Sequence, residues 1–213
     1  MIGMHPLILF DTIMIETPRR RIYRRLGYRK GVTTLRARQE AEVEKDIACA
    51  LSLIRLRGVG LRLSLGEKND SEVVLAGQEG DEVFRSRRLA RFLKECGEVV
   101  LMGATAGGEV MSAIEEGATR DNFSRGVVFD ATASEMVDAS LDWIMSYFAR
   151  ELRRESKILT EKRFSAGYSD FLLENQAAMF RLLDMERIGV EITQSFVLIP
   201  EKSVTALAGV QGK

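Results

Sequence analysis

Apolar and polar positions along the chain follow two periods, and the switches between them outline a mixed α and β protein. Residues 35–57 carry Val43, Ile47, Ala50, Leu51 and Ile54 three or four apart with charges between them, the spacing of an amphipathic helix. Gly58 and Gly60 stop it, and Val59, Leu61, Leu63 and Leu65 then alternate with Arg62 and Ser64, which predicts a strand with one covered face. The polar run GEKNDS makes a turn before a second strand, EVVLAG, so these two strands can pair as a hairpin. From Asp81 to Cys96, the spacing of Val83, Phe84, Leu89, Phe92 and Leu93 predicts a helix with Asp81 as N-cap and Gly97 as stop. EVVLMGAT reads as a buried strand that enters a Gly107–Gly108 turn and the helix EVMSAIEEG, ended by Gly117.

A long helix follows from about residue 124 to about residue 156, with Val127, Val128, Ala131, Ser134 or Glu135, Val137 or Asp138, Leu141, Ile144, Met145 and Phe148 on its buried stripe and Trp143 at its centre. After Lys162 the pattern breaks into RFSAGYSDF, a polar and aromatic loop containing a glycine. The helix LLENQAAMFRLLDM comes next, with Leu173, Ala177, Phe180 and Leu182 or Leu183 on one face. The β-rich run VEITQSFVLIP and the final strand SVTALAGV then suggest a C-terminal hairpin packed on the preceding helices. Strands in both halves, with no repeat or Pro/Ser-rich linker, predict one α+β domain over residues 1–213, a twisted and mainly antiparallel sheet with flanking helices, in which residues 1–20 are an N-terminal extension.

Composition narrows the chemistry. Thirty-one basic residues balance thirty-one acidic ones, so affinity resting on total charge, for nucleic acid or an anionic membrane, is disfavoured. The longest apolar runs fall far short of the ~20 residues a spanning helix needs, and the N-terminal apolar run precedes its arginines and lacks a cleavage pattern, which reads as ordinary mature sequence. Cys49 and Cys96 make no disulfide framework, pointing to a reducing, cytoplasmic location. With His5 as the single histidine and no CxxC, structural zinc and most histidine-based acid/base catalysis are excluded. Weight shifts toward binding or assembly.

Three constellations remain. The glycine turn in VVLMGATAGGEV lacks the order of a phosphate-binding loop and reads as a tight strand-to-helix turn. PRRRIYRRLGYRK mixes Arg19, Arg20, Arg21, Arg24, Arg25, Arg29 and Lys30 with Tyr23 and Tyr28, a mix that suits phosphates, yet Ile22, Tyr23 and Leu26 have the spacing of a short helix with a solvated or partner-facing arginine side. The third, Arg163, Phe164, Ser165, Ala166, Gly167 and Tyr168 with Asp170, holds the pieces for a ligand bearing an amino acid and a heterocycle. An arginine fork holds a carboxylate, a glycine admits close approach, and a tyrosine supplies a flat surface and a hydroxyl. A plain structural loop, with the arginine paired to an acid and the tyrosine packed on a helix, is the alternative.

RFSAGYSDF, then LLENQAAMFRLLDMERIGVEIT, then QSFVLIPEKSVTALAGV, closely resembles the C-terminal half of the S-adenosylmethionine-binding reactivation domain of cobalamin-dependent methionine synthase. The R-x-x-x-G-Y loop, the ERIGV turn and the P-x-x-S-V strand occur in order from Arg163 to Val210, and IYRRLGYRKG and VVFDATASEMVDASLDWI resemble stand-alone members of that family. The resemblance implies that Arg163, Gly167 and Tyr168 contact S-adenosylmethionine, with Ser165 and Ala166 offering backbone groups. It places Asp138 where the family has a ligand-contacting glutamate on the long helix, with Glu135 one turn earlier as a substitute and Asp11 as a further acid by position only. The family's tyrosine beyond the P-x-x-S-V strand has no counterpart before Lys213.

The cobalamin motif D-x-H-x-x-G is absent, and neither a cobalt-ligating histidine motif nor a zinc-thiolate site can be built from these residues. The resemblance therefore implies action on cobalamin held by a partner, a corrinoid-binding methyltransferase or corrinoid protein, with a flavodoxin-like or iron-sulfur electron donor. The expected function is support of reductive methylation, with no nucleic acid and no membrane involved. The alternative is a module of the same fold that docks on a corrinoid protein without binding S-adenosylmethionine.

Overall fold

A computed structural model describes residues 5–28, 32, 36–77, 80–119 and 123–212. Its frame is one curled antiparallel sheet in the order β4-β3-β2-β5-β9-β6, with β1 on the edge of β2 that β3 also uses. The strands are β1 (Ile8–Phe10), β2 (Arg57–Lys68), β3 (Glu72–Leu75), β4 (Glu82–Arg85), β5 (Glu98–Thr105), β6 (Lys157–Leu159) and β9 (Ser203–Gly212). Two residues each from β7 (Glu191–Ile192) and β8 (Leu198–Ile199) pair separately. The helices are α1 (Arg19–Arg25), α2 (Ala37–Leu53), α3 (Arg87–Phe92), α4 (Glu109–Thr119), α5 (Phe123–Arg154) and α6 (Asn175–Leu182). No helix among the described residues is long and apolar enough to cross a membrane.

The central strands are covered on both sides, which is why EVVLMGAT is a continuous apolar run rather than an alternating one. On one face Val59, Leu61, Val99, Leu101 and Leu207 meet Leu89 and Leu93 of the α3 region, Met179 of α6 and Phe171. On the other, Val100, Met102, Ala206 and Ala208 meet Leu141, Ile144 and Phe148 of α5. A third cluster, Ile22, Ile47, Val128 and Ala131, fastens α1 and α2 to α5.

Gly58 and Gly60 do not stop a helix, because both lie inside β2, where their missing side chains make room for α5. A Cβ on Gly60 would overlap the Phe148 ring, and one on Gly58 would stand 2.8 Å from Cδ1 of Ile144. The helix before them ends at Leu53, and Ile54 is already extended.

Other expectations need correction. The segment from Asp81 to Cys96 is not one helix. Its first part is β4, paired along its length with β3, and Ser86 then caps the short α3 by accepting from the Leu89 amide. Cross-strand pairing overrides a spacing that suits either element. Gly117 lies within α4 instead of ending it. VEITQSFVLIP contributes only β7 and β8, joined to each other, while β9 leaves that region and inserts between β5 and β6. β1 and β6 lie where no strand is expected from the pattern. α6 buries Gln176, Ala178 and Met179; of the expected face, Leu183 is fully buried and Phe180 and Leu182 pack partly on the core, whereas Leu173 is 41% exposed.

Where α5 ends, the buried guanidinium of Arg62 donates from Nη2 to Glu98 at 2.7 Å and from Nη1 to Glu155 at 2.6 Å, and Lys157 stands 3.1 Å from each carboxylate. The Arg62 hydrogen bonds hold the Glu155 carboxyl down to about 2 from its ordinary 4.5. A carboxyl held low in the folded state contributes stability above the unfolded value, and that contribution is lost as pH falls toward 2. In Glu155→Gln the decline of unfolding free energy between about pH 4.5 and 2 should be shallower than in the wild type, as read by urea unfolding at stepped pH. An equally steep decline would remove Glu155 from the acid response. At the glycine notch, Gly60→Val should lower stability by about 1–3 kcal/mol through overpacking, although valine suits a strand. Coupling to Phe148→Leu in a double-mutant cycle should recover part of that loss.

Candidate functional site

The loop that carries RFSAGY is anchored at both ends by groups that leave its middle free. Phe164 exchanges two backbone hydrogen bonds of 2.8 Å with Leu207 of β9, and its ring stacks on Phe92 at 5.9 Å. Downstream, Phe171 is buried edge-on against Phe84 at 5.2 Å. Asp170 accepts from the Ser86 hydroxyl at 2.6 Å and from the Arg88 amide, which lowers its carboxyl below the usual range, the Ser86 hydrogen bond being the largest cause. Asp170 therefore ties the loop to α3. Between the anchors, Gly167 at φ +85° takes the left-handed turn that only glycine adopts without strain, and its amide donates to the Phe171 carbonyl.

The open middle of the loop borders a cavity of about 590 Å³. Arg163, Phe164, Ser165, Ala166 and Tyr168 form one wall, Asp138 and Leu141 of α5 a second, and Leu173 and Gln176 a third. Residues 196–198, Glu201 and residues 203–205 of β9 complete it. The size suits a ligand of nucleoside dimensions.

The place of the cavity follows from the strand pattern. Phe164 takes the outward amide and carbonyl of Leu207, so by antiparallel alternation Ser203 and Thr205 also turn their backbone groups to the outer edge of β9. β6 covers that edge only at Val210–Gly212. From Ser203 to Thr205 the edge faces the cavity.

Charge in the site is arranged around Arg163. Its guanidinium donates from Nη2 to Asp138 and from Nη1 to Asp142, carboxylates one turn apart on α5. Burial opposes its charge, but the Asp142 hydrogen bond and the Asp138 charge outweigh that, and its pKa is raised above the ordinary value. Arg21 of α1 shares the same acids, 2.8 Å from Asp142 and 3.6 Å from Asp138, and stands 3.3 Å from Glu135. Arg25 donates to Glu135 at 2.7 Å. Three guanidiniums thus meet three carboxylates where α1, α5 and the loop converge.

Five expected site residues, Asp138, Arg163, Ser165, Ala166 and Tyr168, share this cavity, and Gly167 shapes the turn between the last two. Glu135 does not border it, being 7% exposed and held by the α1 arginines. Asp11 lies on a different cavity, with Met14, Arg55 and Met136. The arginine-rich segment is spent internally in part: Arg19 and Tyr23 both bond Glu44 of α2, while Arg29 and Lys30 lie outside the described residues. Burial and the Glu44 hydrogen bond raise the Tyr23 hydroxyl well above its usual range. In the glycine turn the Gly107 amide donates to the Thr105 hydroxyl at 3.1 Å, as a plain strand-to-helix turn does. Asp142, Gln176 and Thr205 were not singled out by sequence reasoning. Asp142 carried one available signal, its i, i+4 spacing from Asp138.

No family model matches the chain, and no curated protein matches it in sequence. Among solved structures, the MetH reactivation domain bound to AdoHcy superposes with a TM-score of 0.67 at 14% identity, over 98% of this chain and 79% of that one. The chain has the α+β fold of that domain.

Proposed function

We propose that this chain binds S-adenosylmethionine in the cavity beside Arg163 and supports the reductive methylation of a corrinoid-dependent methyltransferase held on another polypeptide. The observation that carries this reading is the placement of the R-x-x-x-G-Y loop, with Arg163 and Tyr168, on the wall of a nucleoside-sized cavity in a fold shared with a domain crystallised with AdoHcy. Bound there, S-adenosylmethionine would supply a methyl group to the partner's reduced cobalt. The chain itself would bind and orient. Arg163 matches the ligand carboxylate as a bidentate fork, Asp138 matches the ammonium, and the edge of β9 offers backbone donors and acceptors. Among the described residues no cluster of His, Cys, Asp or Glu suits a metal.

The cavity mouth supports a docking role for the same face. Tyr168 is 70% exposed, and Leu173 and Val197, which line the cavity, and their neighbours Leu172 and Ile199 are each at least 41% exposed. Apolar side chains grouped in this way mark a surface that a partner covers. A flavodoxin-like or iron-sulfur protein would deliver the electron to that partner.

One observation favours a second reading, a docking module that does not bind S-adenosylmethionine. Arg163 is already held by Asp138 and Asp142, and a ligand carboxylate must displace them. Calorimetry with AdoHcy decides between the two. Under the proposed function the wild type binds, and Arg163→Ala binds roughly ten- to a hundredfold more weakly. No binding by the folded wild type selects the docking module.

Reactivation has its own test. Mixed with a corrinoid methyltransferase, S-adenosylmethionine and a low-potential reductant, the protein should speed the return of the oxidised cobalt spectrum to that of the methylated form. Tyr168→Ala should do so less well. Binding without any such acceleration would leave the ligand assignment standing and remove the reactivation role.

A further inference from the structure

The cavity wall holds a polar group that the folded chain leaves without a partner. Gln176 is 5% exposed on the inner face of α6, and its Oε1 accepts from the Thr205 hydroxyl at 3.1 Å. Its Nε2 is buried and finds no acceptor among the described residues. No other buried side-chain nitrogen or oxygen among them is in that position. Amide donors are rarely left so, because burial takes away the hydrogen bond to water and nothing replaces it. Here the donor belongs to a residue that lines the cavity beside Arg163.

We infer that Gln176 is a specificity-determining residue of this site, donating from Nε2 to a neutral acceptor on the nucleoside part of the bound ligand. The inference rests on the proposed S-adenosylmethionine site and adds to it the group that reads the ligand's heterocycle. Two features of the cavity direct the assignment. The charged end of an amino-acid-bearing ligand is matched by Arg163 and Asp138, whereas a single neutral amide cannot compensate a desolvated carboxylate. Thr205, bonded to the same amide, also turns its backbone N–H and C=O to the open edge of β9. A side-chain donor beside a backbone donor and acceptor suits the edge of a purine, which presents ring-nitrogen acceptors and an exocyclic amine.

The test compares AdoHcy with methylthioadenosine, which keeps the nucleoside and lacks the amino-acid group, by calorimetry on the full chain. Gln176→Leu should weaken both compounds by the same factor, roughly tenfold. Arg163→Ala should weaken AdoHcy and leave methylthioadenosine nearly unchanged. Gln176→Leu removes the acceptor of the Thr205 hydroxyl along with the unpartnered donor, so the ligand-free thermal midpoint should fall by no more than that one hydrogen bond is worth, while its shift on adding AdoHcy should shrink. A purely structural amide would lower the midpoint and leave affinity for both compounds unchanged.

Should Gln176→Leu not fold, Gln176→Glu retains the acceptor for Thr205 and removes the donor. Its binding defect should be larger at pH 8 than at pH 5, where a protonated carboxyl can donate again. Wild-type binding with unchanged affinity in the variants overturns the role of Gln176 alone, as does a loss confined to AdoHcy. A folded wild type that binds neither compound overturns this inference together with the site it rests on.

Discussion

The depth at which α5 seats on the sheet governs the rest of the molecule. Thirty-two residues of helix cross β2, β5 and β9, and two missing side chains, at Gly58 and Gly60, let Ile144 and Phe148 reach the strand backbone. Close packing there is not adjustable, because interiors at crystal-like density transmit a displaced helix as a displaced everything. The residues set by that seating include more than core. One face of α5 supplies Leu141, Ile144 and Phe148 to the sheet, and another supplies Glu135, Asp138 and Asp142 to the arginines. Moving the helix outward would move the acids by the same distance, so the geometry around Arg163 depends on two glycines on another strand.

The charge cluster has a composition that suits exchange. Asp142 is shared by Arg163 and Arg21, and Asp138 lies within reach of both. If Arg163 turns to a ligand carboxylate, the two acids keep Arg21, and neither is left buried without a counter-charge, the situation that makes breaking ion pairs expensive. Glu135 is more enclosed and is held by Arg21 and Arg25, which keeps α1 in place during such an exchange. The arginine-rich segment thus has work within the chain.

What the sequence showed, and what it hid, follows from the range of each interaction. The run EVVLMGAT and the stripe through Leu141, Ile144 and Phe148 were legible because burial on two faces and on one stripe writes itself into consecutive residues. The loop from Arg163 to Tyr168 was legible as a combination of a fork, a glycine and a tyrosine. β4 was not, since Val83 and Phe84 suit either period and only pairing with β3 decides between them. Arg21 and Asp142 are 121 positions apart, and nothing local in either announces the other. Gln176 was hidden for a different reason. A polar residue on an amphipathic helix is assigned to solvent by its type, and here it stands on the buried face with Met179.

The cavity exists because the sheet is finished imperfectly at β9. A full strand beside Ser203 and Thr205 would consume their outward backbone groups and fill the space, as β6 does from Val210 onward. The chain instead leaves β6, makes a single bridge at Phe164 and Leu207, and turns away through Gly167. That bridge, fixed by Phe92, Phe171 and Asp170 behind it, holds Arg163 on one side and Ala166 on the other without closing the edge. An open edge normally invites pairing with another chain. Here it lies within a cavity walled by α5, α6 and the loop, where a small molecule can reach its free backbone groups.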